Sequence, residues 1–175
     1  MTLNEDIKDH KAKCDEKRKE LLEAGIVGAW MDEPDRVEFR YNGLDCLIVR
    51  NERMFNLCGY VALPKAHPFH KKGYDDMGYD VHGGLTYSDL CDDHRICHAT
   101  DDDKAEKAFW IGFDCAHGGD FVPGLEIVDR MIREKTNSPF SQGILKSKSY
   151  TKYRDIEYVT KEIKDLVRQV NTDDV

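Results

Sequence analysis

Apolar and polar side chains alternate on both sides of the dipeptide Asn42-Gly43, within residues 36–50. A two-residue type I′ turn favours this dipeptide because both of its central residues need positive φ. The pattern therefore predicts a β-hairpin in which Tyr41 lies opposite Leu44. The second strand is also apolar at consecutive positions, which is typical of a strand inside a sheet.

Apolar residues at helical spacing predict helices towards both ends of the chain. The longest stripe, over residues 155–170, contains Ile156, Val159, Ile163, Leu166, Val167 and Val170. Thr151 or Ser149 is the expected N-cap of this helix. A helix rich in lysine and glutamate is predicted over residues 4–24. Its thinner stripe favours a peripheral helix that packs lightly; the alternative is contact with a partner or with a second copy in a homo-oligomer.

Shorter patterns complete the predicted fold. They predict strands over residues 55–63, 85–87 and 108–113, and a helix over residues 125–135 with an apolar face of Leu125, Val128, Met131 and Ile132. The elements predict a single α+β domain over residues 1–175. It consists of a small, mostly antiparallel sheet with an N-terminal β-hairpin, flanked by N- and C-terminal helices. Residues 1–25 are its peripheral helix and residues 36–170 its core.

Charge and hydropathy exclude several classes of protein. The formal charge of −8 over 175 residues argues against general nucleic-acid binding, which depends on lysine and arginine contacts with phosphate. No apolar run approaches the ~20 residues that span a bilayer, so no membrane association is expected. The N-terminus is acidic and lacks the apolar core of a signal peptide. These features predict a cytoplasmic protein.

The six cysteines are expected to be reduced in that compartment. The sequence analysis therefore predicts no disulfide, with Cys46, Cys58 and Cys115 buried as small apolar residues. Cys91, His94, Cys97 and His98 have the residue types of a zinc knuckle, but their spacing is unusual. His67 and His70 flank a proline and are interpreted as loop residues.

Two glycine-rich loops carry the candidate chemistry. One follows the strand that begins at Trp110, and it holds Asp114, Cys115, His117 and Asp120; the other is Asp80-Val-His-Gly-Gly-Leu-Thr-Tyr-Ser88. Carboxylate and imidazole groups are ligands that suit a divalent metal ion. Asp114, His117 and Asp120, completed by His82, are therefore a tentative metal set. The structural alternative is that these side chains hydrogen-bond within their loops.

The second loop also has the features of an anion site. Consecutive glycines expose backbone N–H groups that can hold phosphate or carboxylate. The candidate ligand-binding residues are His82, Gly83, Gly84, Thr86, Tyr87, Asp114, His117, Asp120 and Arg154. Arg154 would meet the charge of the ligand, with Glu157 holding its guanidinium, or the two would form an ordinary helix pair. Because polar groups are costly to bury unpaired, we expect the two loops to meet, with His82 close to Asp114 or His117 and Tyr87 at the wall of the site.

Five motifs resemble a family of small tailed-phage and prophage proteins. They are Leu57-Cys-Gly-Tyr-Val61 with His67-Pro68, His82-Gly-Gly-Leu-Thr-Tyr87, Ile96-Cys-His98, Trp110-Ile-Gly-Phe-Asp-Cys-Ala-His117 with Gly119-Asp120, and Tyr153-Arg-Asp-Ile-Glu-Tyr-Val159. The resemblance covers roughly residues 36–170. It implies a phage or mobile-element setting, in the cytoplasm of the bacterial host, where many small proteins counter host defence.

These observations lead to three functional hypotheses. The first is a phage accessory protein that binds a small anionic, nucleotide-like ligand between the two loops and so sequesters a host defence signal. The second is a metal-dependent hydrolase that uses the same histidine and aspartate side chains. The third is a protein–protein inhibitor whose acidic surface mimics a polyanion.

Overall fold

The computed structural model of the chain describes residues 2–91, 95–99, 108–136 and 151–173. The elements in chain order are α1 (Leu3–Glu23), β1 (Arg36–Tyr41), β2 (Leu44–Arg50), β3 (Leu57–Leu63), β4 (Tyr87–Leu90), β5 (Phe109–Asp114), α2 (Pro123–Thr136) and α3 (Ile156–Asp173). Short 3-10 turns lie at Ala29–Met31 and Tyr74–Asp76. The predicted α+β fold, with helices towards both ends of the chain, is confirmed.

The five strands form one antiparallel sheet in the order β1-β2-β3-β5-β4. The predicted hairpin is confirmed, because Tyr41 pairs with Leu44. Asn42 and Gly43 form its turn with φ of 44° and 87°. Both values are positive, as a type I′ turn requires.

The sheet buries apolar side chains on both faces. α3 covers one face with Val159, Ile163, Leu166, Val167 and Val170, all fully buried. The stripe predicted for this helix is therefore its core face. On the other face, Leu3 of α1 packs with Leu47, Tyr60 and Trp110. This arrangement explains why β2 is apolar at consecutive positions.

Two strand boundaries differ from the predicted ones. β3 begins at Leu57 because Phe55 has a φ of 63°, which is outside the β region. The Phe55 side chain is buried in a third cluster with Trp30 and Cys14. β4 begins at Tyr87, since the residues before it belong to the glycine loop. Thr86 nevertheless bonds β5, through its N–H to Gly112 O (2.9 Å) and through its hydroxyl to Asp114 (3.0 Å).

α3 is capped by Asp155. Its carboxylate accepts a hydrogen bond from the backbone N–H of Tyr158 (2.9 Å), as an N-cap side chain does. The expected cap at Thr151 is therefore wrong, and Ser149 lies outside the described residues. Residues 151–154 are not helical because Lys152 pairs instead with Asp120 in a parallel bridge.

The predicted absence of disulfides is wrong. Cys91 and Cys97 form a disulfide, with their Cα atoms 5.3 Å apart. The prediction came from the expected compartment, and the sequence does not reveal that the chain folds Cys97 back onto Cys91. The same bond takes both cysteines out of the proposed zinc knuckle, and His94 lies outside the described residues. The burial predicted for Cys46, Cys58 and Cys115 is confirmed.

No helix among the described residues is both long enough and apolar enough to cross a bilayer.

Candidate functional site

The loop before β4 and the loop after β5 meet against α3. The His82 and His117 rings lie 5.6 Å apart, centroid to centroid. The prediction that the loops meet, with His82 close to His117, is confirmed. The loop before β4 is held in place by the helix: the His82 N–H donates to Glu162 (3.0 Å), and the Asp80 N–H donates to Gln169 (2.8 Å).

Asp120 is the centre of this cluster. One carboxylate oxygen, Oδ2, accepts from His82 Nε2 (2.7 Å) and from the His117 N–H (3.0 Å). The other, Oδ1, accepts from Arg154 Nε (2.8 Å). The side chain has no exposed surface. Burial opposes its ionisation, but the bonds from Arg154 and His82 and from the His117 N–H outweigh burial and lower the pKa of Asp120.

His82 is bonded on both ring nitrogens. Nε2 faces the Asp120 carboxylate, and Nδ1 lies 2.9 Å from the Tyr158 hydroxyl oxygen. A carboxylate can only accept, so Nε2 carries the ring proton and Nδ1 of the neutral imidazole accepts from Tyr158. The result is a chain of hydrogen bonds from carboxylate to imidazole to phenol.

Arg154 is fixed from two sides. Asp120 holds its Nε, and its guanidinium carbon lies 4.6 Å above the centre of the Tyr158 ring. The side chain is 23% exposed. Among the described residues, neither terminal nitrogen has a hydrogen-bond partner. The acid that orients Arg154 is therefore Asp120 and not Glu157, its neighbour on the helix.

Glycine is required beside His117. Gly83 has a φ of 68°, and a Cβ there would lie 2.0 Å from the His117 ring. Gly84, Gly118 and Gly119 have no such neighbour, because a Cβ at these positions would meet nothing within 4 Å. The ring is thus packed on one glycine, while the other three line an open surface.

Asp114 joins this cluster through His117. His117 Nε2 lies 3.6 Å from Asp114 Oδ1, and this nitrogen is buried with no hydrogen-bond partner in the described structure. The Thr86 hydroxyl donates to the other Asp114 oxygen (3.0 Å). The side chains of His117 and Asp114 are each about one-third exposed, so a ligand can reach both.

Tyr87 lies elsewhere, and its expected place at the wall of the site is wrong. Its ring packs edge-on against Tyr60 at 5.3 Å, in the core on the α1 side of the sheet. Tyr87 pairs with Gly112 across the strands, and alternation along the strand puts its side chain on the face opposite α3. Burial raises the pKa of Tyr87 to about 12.

The side chains predicted as metal ligands take part in other bonds. Within the parts of the chain that the structure describes, no three histidine, cysteine, aspartate or glutamate side chains are arranged to hold a metal ion. Asp120 already uses both oxygens for Arg154 and His82. The adjacent Cys115 thiol is buried, and burial raises its pKa, which keeps it protonated near neutral pH.

The other candidate histidines have local roles. His67 is buried; its Nδ1 accepts from the Phe69 N–H (3.2 Å), and its Nε2 lies 3.3 Å from the Tyr79 hydroxyl. His98 Nε2 donates to Cys46 O (2.9 Å). His67 is therefore a hydrogen-bonded loop residue, as predicted, and His98 bonds β2 of the sheet.

The residues that sequence reasoning missed are Tyr158 and Glu162. Both contact His82, and they lie four positions apart on α3. Residues at i and i+4 share one face of a helix, so this polar row was visible in the sequence. It is the face of α3 on which the His82 loop rests.

The cavities of about 410, 500 and 510 Å³ lie away from this cluster. The first is lined on the α1 side of the sheet by residues that include Arg53, Tyr60 and Arg95; the other two border α1. Their linings include none of the cluster residues. The cluster is therefore a surface site at the junction of two loops and a helix.

Comparison of the chain with protein-family models, with curated proteins and with solved structures gave no match.

Proposed function

We propose that this cluster binds a small anionic ligand through a phosphate group. The observation that carries the proposal is the fixed Arg154 guanidinium, with Nε held by Asp120 and its face held by the Tyr158 ring. A guanidinium oriented in advance loses little entropy when it forms paired hydrogen bonds to phosphate. Its terminal nitrogens are the donors for that contact.

The surroundings of Arg154 support an anion at this position. His117 is a partly exposed imidazole on the same surface, and Gly118 and Gly119 leave open space beside it. Backbone N–H groups at such glycines can approach an anion closely. Because the Asp120 carboxylate balances the charge of Arg154, binding of an anion to this face depends on the terminal donors of the guanidinium.

The geometry of the cluster supports binding of a phosphate group. The resemblance to phage proteins suggests which kind of compound carries that group. In that setting the ligand would be a nucleotide-like host defence signal, and the protein would act by sequestering it in the host cytoplasm. Sequestration requires tight binding and no reaction. Neither a metal ion nor a second protein is needed for this role.

Binding is tested by isothermal titration of the purified protein with inorganic phosphate and with a panel of nucleotides. Arg154→Met should weaken binding of the best ligand by about 10- to 100-fold, since a hydrogen bond to a charged group contributes about 1.5–3 kcal/mol. Arg168→Met is the matched control, because Arg168 is an arginine of α3 that is paired with Asp165 at the surface. It should leave binding unchanged.

Two results would contradict the proposal. One is a wild-type protein that binds no phosphate-bearing compound. The other is an Arg154→Met variant, folded by circular dichroism, that binds as tightly as the wild type. Mass spectrometry of denatured protein provides an independent check, since a sequestered ligand should be recovered intact.

A further inference from the structure

We propose that Tyr158 is a nucleophile toward phosphorus, with His82 as its proton acceptor and Asp120 as the residue that positions His82. This inference rests on the anion site of the proposed function, because the substrate is a phosphate ester bound at Arg154, and it replaces sequestration with hydrolysis of that ester. The arrangement has the three parts that an activated hydroxyl needs: a nucleophile, a base within hydrogen-bond reach and a third group that orients the base.

The distances support this assignment of roles. The Tyr158 hydroxyl lies 2.9 Å from His82 Nδ1, and His82 Nε2 lies 2.7 Å from Asp120. Asp120 is inaccessible to solvent, while Tyr158 is partly exposed. The base is therefore held from the protein interior, and the nucleophile lies at the surface beside the guanidinium that would hold the phosphate.

A base is needed because the phenol does not ionise on its own near neutral pH. Burial and the nearby Glu162 carboxylate raise the pKa of Tyr158. An imidazole that removes the proton as the new bond forms avoids a free phenolate. The structural alternative, a hydrogen-bond network that only rigidifies the loops, predicts no special reactivity at Tyr158.

The reaction proceeds in two displacements. The Tyr158 oxygen attacks phosphorus, the bond from phosphorus to the leaving oxygen breaks with its electron pair on that oxygen, and the phenol proton passes through His82 Nδ1 to the leaving group. Water then attacks the phosphotyrosine, giving up a proton through His82, and the Tyr158 oxygen leaves and is reprotonated. The reaction needs no oxidant, reductant or metal ion.

The test uses diisopropyl fluorophosphate, which needs no knowledge of the natural substrate. A reactive hydroxyl displaces fluoride and keeps the phosphoryl group, so intact-mass and peptide mass spectrometry locate the adduct. We expect one adduct, at Tyr158, and its loss in Tyr158→Phe. Tyr41→Phe is the matched control, because the Tyr41 hydroxyl bonds only the surface residue Arg168 among the described residues; it should keep the adduct.

Two further variants test the roles of His82 and Asp120. His82→Ala should slow labelling by about 100-fold, the usual range for a general base, and added imidazole should restore part of the rate. Imidazole would not restore a rate lost through misfolding. Asp120→Asn should lower the maximal labelling rate more than Arg154→Met does, because Asp120 orients both His82 and Arg154.

The outcomes separate this inference from the proposed function. Labelling of Tyr158 that inorganic phosphate protects supports both. Labelling without protection supports the nucleophile and contradicts the anion site at Arg154. Phosphate binding without an adduct at Tyr158, or an adduct spread over several tyrosines, overturns the nucleophile and leaves the binding proposal standing. If the protein neither binds phosphate nor reacts, both are wrong.

Discussion

At the scale of single residues, the candidate site depends on a buried carboxylate that remains charged. Asp120 accepts three hydrogen bonds, from a guanidinium, an imidazole and a backbone N–H. A buried charge is tolerated only when it is paired and hydrogen-bonded in this way. Removing one partner therefore affects both the stability of the fold and the orientation of the remaining groups.

Asp120 should make stability depend on pH. Its pKa is lowered in the folded protein from an ordinary value of 3.8, so its contribution is fully present above that value and is lost as the pH falls below it. We expect Asp120→Asn to cost about 1–3 kcal/mol in the free energy of unfolding near neutral pH. The difference from wild type should shrink below pH 3.8. Urea unfolding of both proteins from pH 7 to pH 3 measures it, and a pH-independent difference would contradict the prediction.

The contact between Gly83 and His117 can be tested with a pair of glycine substitutions. Gly83 and Gly84 both have positive φ, but only at Gly83 would a Cβ overlap the His117 ring. Gly84→Ala should cost about 1–2 kcal/mol for the left-handed conformation alone. Gly83→Ala should cost about 1–3 kcal/mol more, because the ring must move. Equal unfolding free energies for the two variants would show that the ring is not packed on Gly83.

At the scale of elements, α2 and α3 differ in whether their apolar stripe is buried: the stripe of α3 is buried, and that of α2 is exposed. In α2, the stripe of Leu125, Val128, Met131 and Ile132 is 41–54% exposed, while Ile127 is buried with Trp30 and Phe55. The helix is held through its other side, where Arg130 donates to Ala24 O (2.6 Å) at the end of α1. Apolar spacing predicted this helix correctly, but it did not predict which face is buried.

Two isoleucines in α2 allow a matched test of that orientation. Ile127→Ala should lower the free energy of unfolding by about 2–5 kcal/mol, since it leaves a cavity in the core. Ile132→Ala, with a side chain that is 52% exposed, should change it by about 0.5 kcal/mol or less. Thermal or urea unfolding gives both values. A larger effect at position 132 would mean that the apolar stripe is the buried face.

The described part of the connection from β4 to β5, at Cys91 and residues 95–99, is held by a disulfide and by an arginine. Cys91 is bonded to Cys97, and Arg36 donates to the backbone oxygens of Arg95 and Cys97. Thiol titration in denaturant should find four free thiols before reduction, because the structure has four free cysteines. Six thiols are expected after reduction. A count of six without reductant would contradict the disulfide.

At the scale of the whole molecule, Arg50 joins the sheet to the start of α3. Its side chain is fully buried at the end of β2 and donates to Asp35 (2.8 Å), Glu33 (3.1 Å) and the Tyr153 hydroxyl (2.8 Å). Glu33 also accepts from the backbone N–H of Ile156 (3.0 Å). This network fixes the backbone of residues 153–156. It therefore also fixes the direction in which the Arg154 side chain points.

Arg50→Met should therefore destabilise the fold more than any surface arginine variant. We expect a loss of about 3–5 kcal/mol, because Glu33 loses its arginine partner and Asp35 keeps only Arg18. Arg40→Met is the control: Arg40 is 70% exposed and paired with Asp45 at 2.9 Å, and an exposed pair contributes about 0–1 kcal/mol. Urea unfolding of the two variants compares them, and equal losses would show that Arg50 is not a structural centre.

The sequence by itself determined most of the elements and the two loops that form the cluster. Local rules suffice for these: the turn at Asn42-Gly43 needs positive φ, and the stripe on α3 recurs at helical spacing. The polar character of the two loops also predicted that His82 lies close to Asp114 or His117, because polar loops in a small domain must satisfy one another. The turn and the stripe are carried by residues close together in the chain.

Only the tertiary structure decided how those residues are paired. Asp120 bonds Arg154, 34 positions away, and the phenol that faces His82 comes from α3, 76 positions away. The sheet also turned Tyr87 to the opposite face, and chain folding brought Cys91 to Cys97. Pairing of this kind is set by how separate elements pack, and spacing within one element carries no record of it.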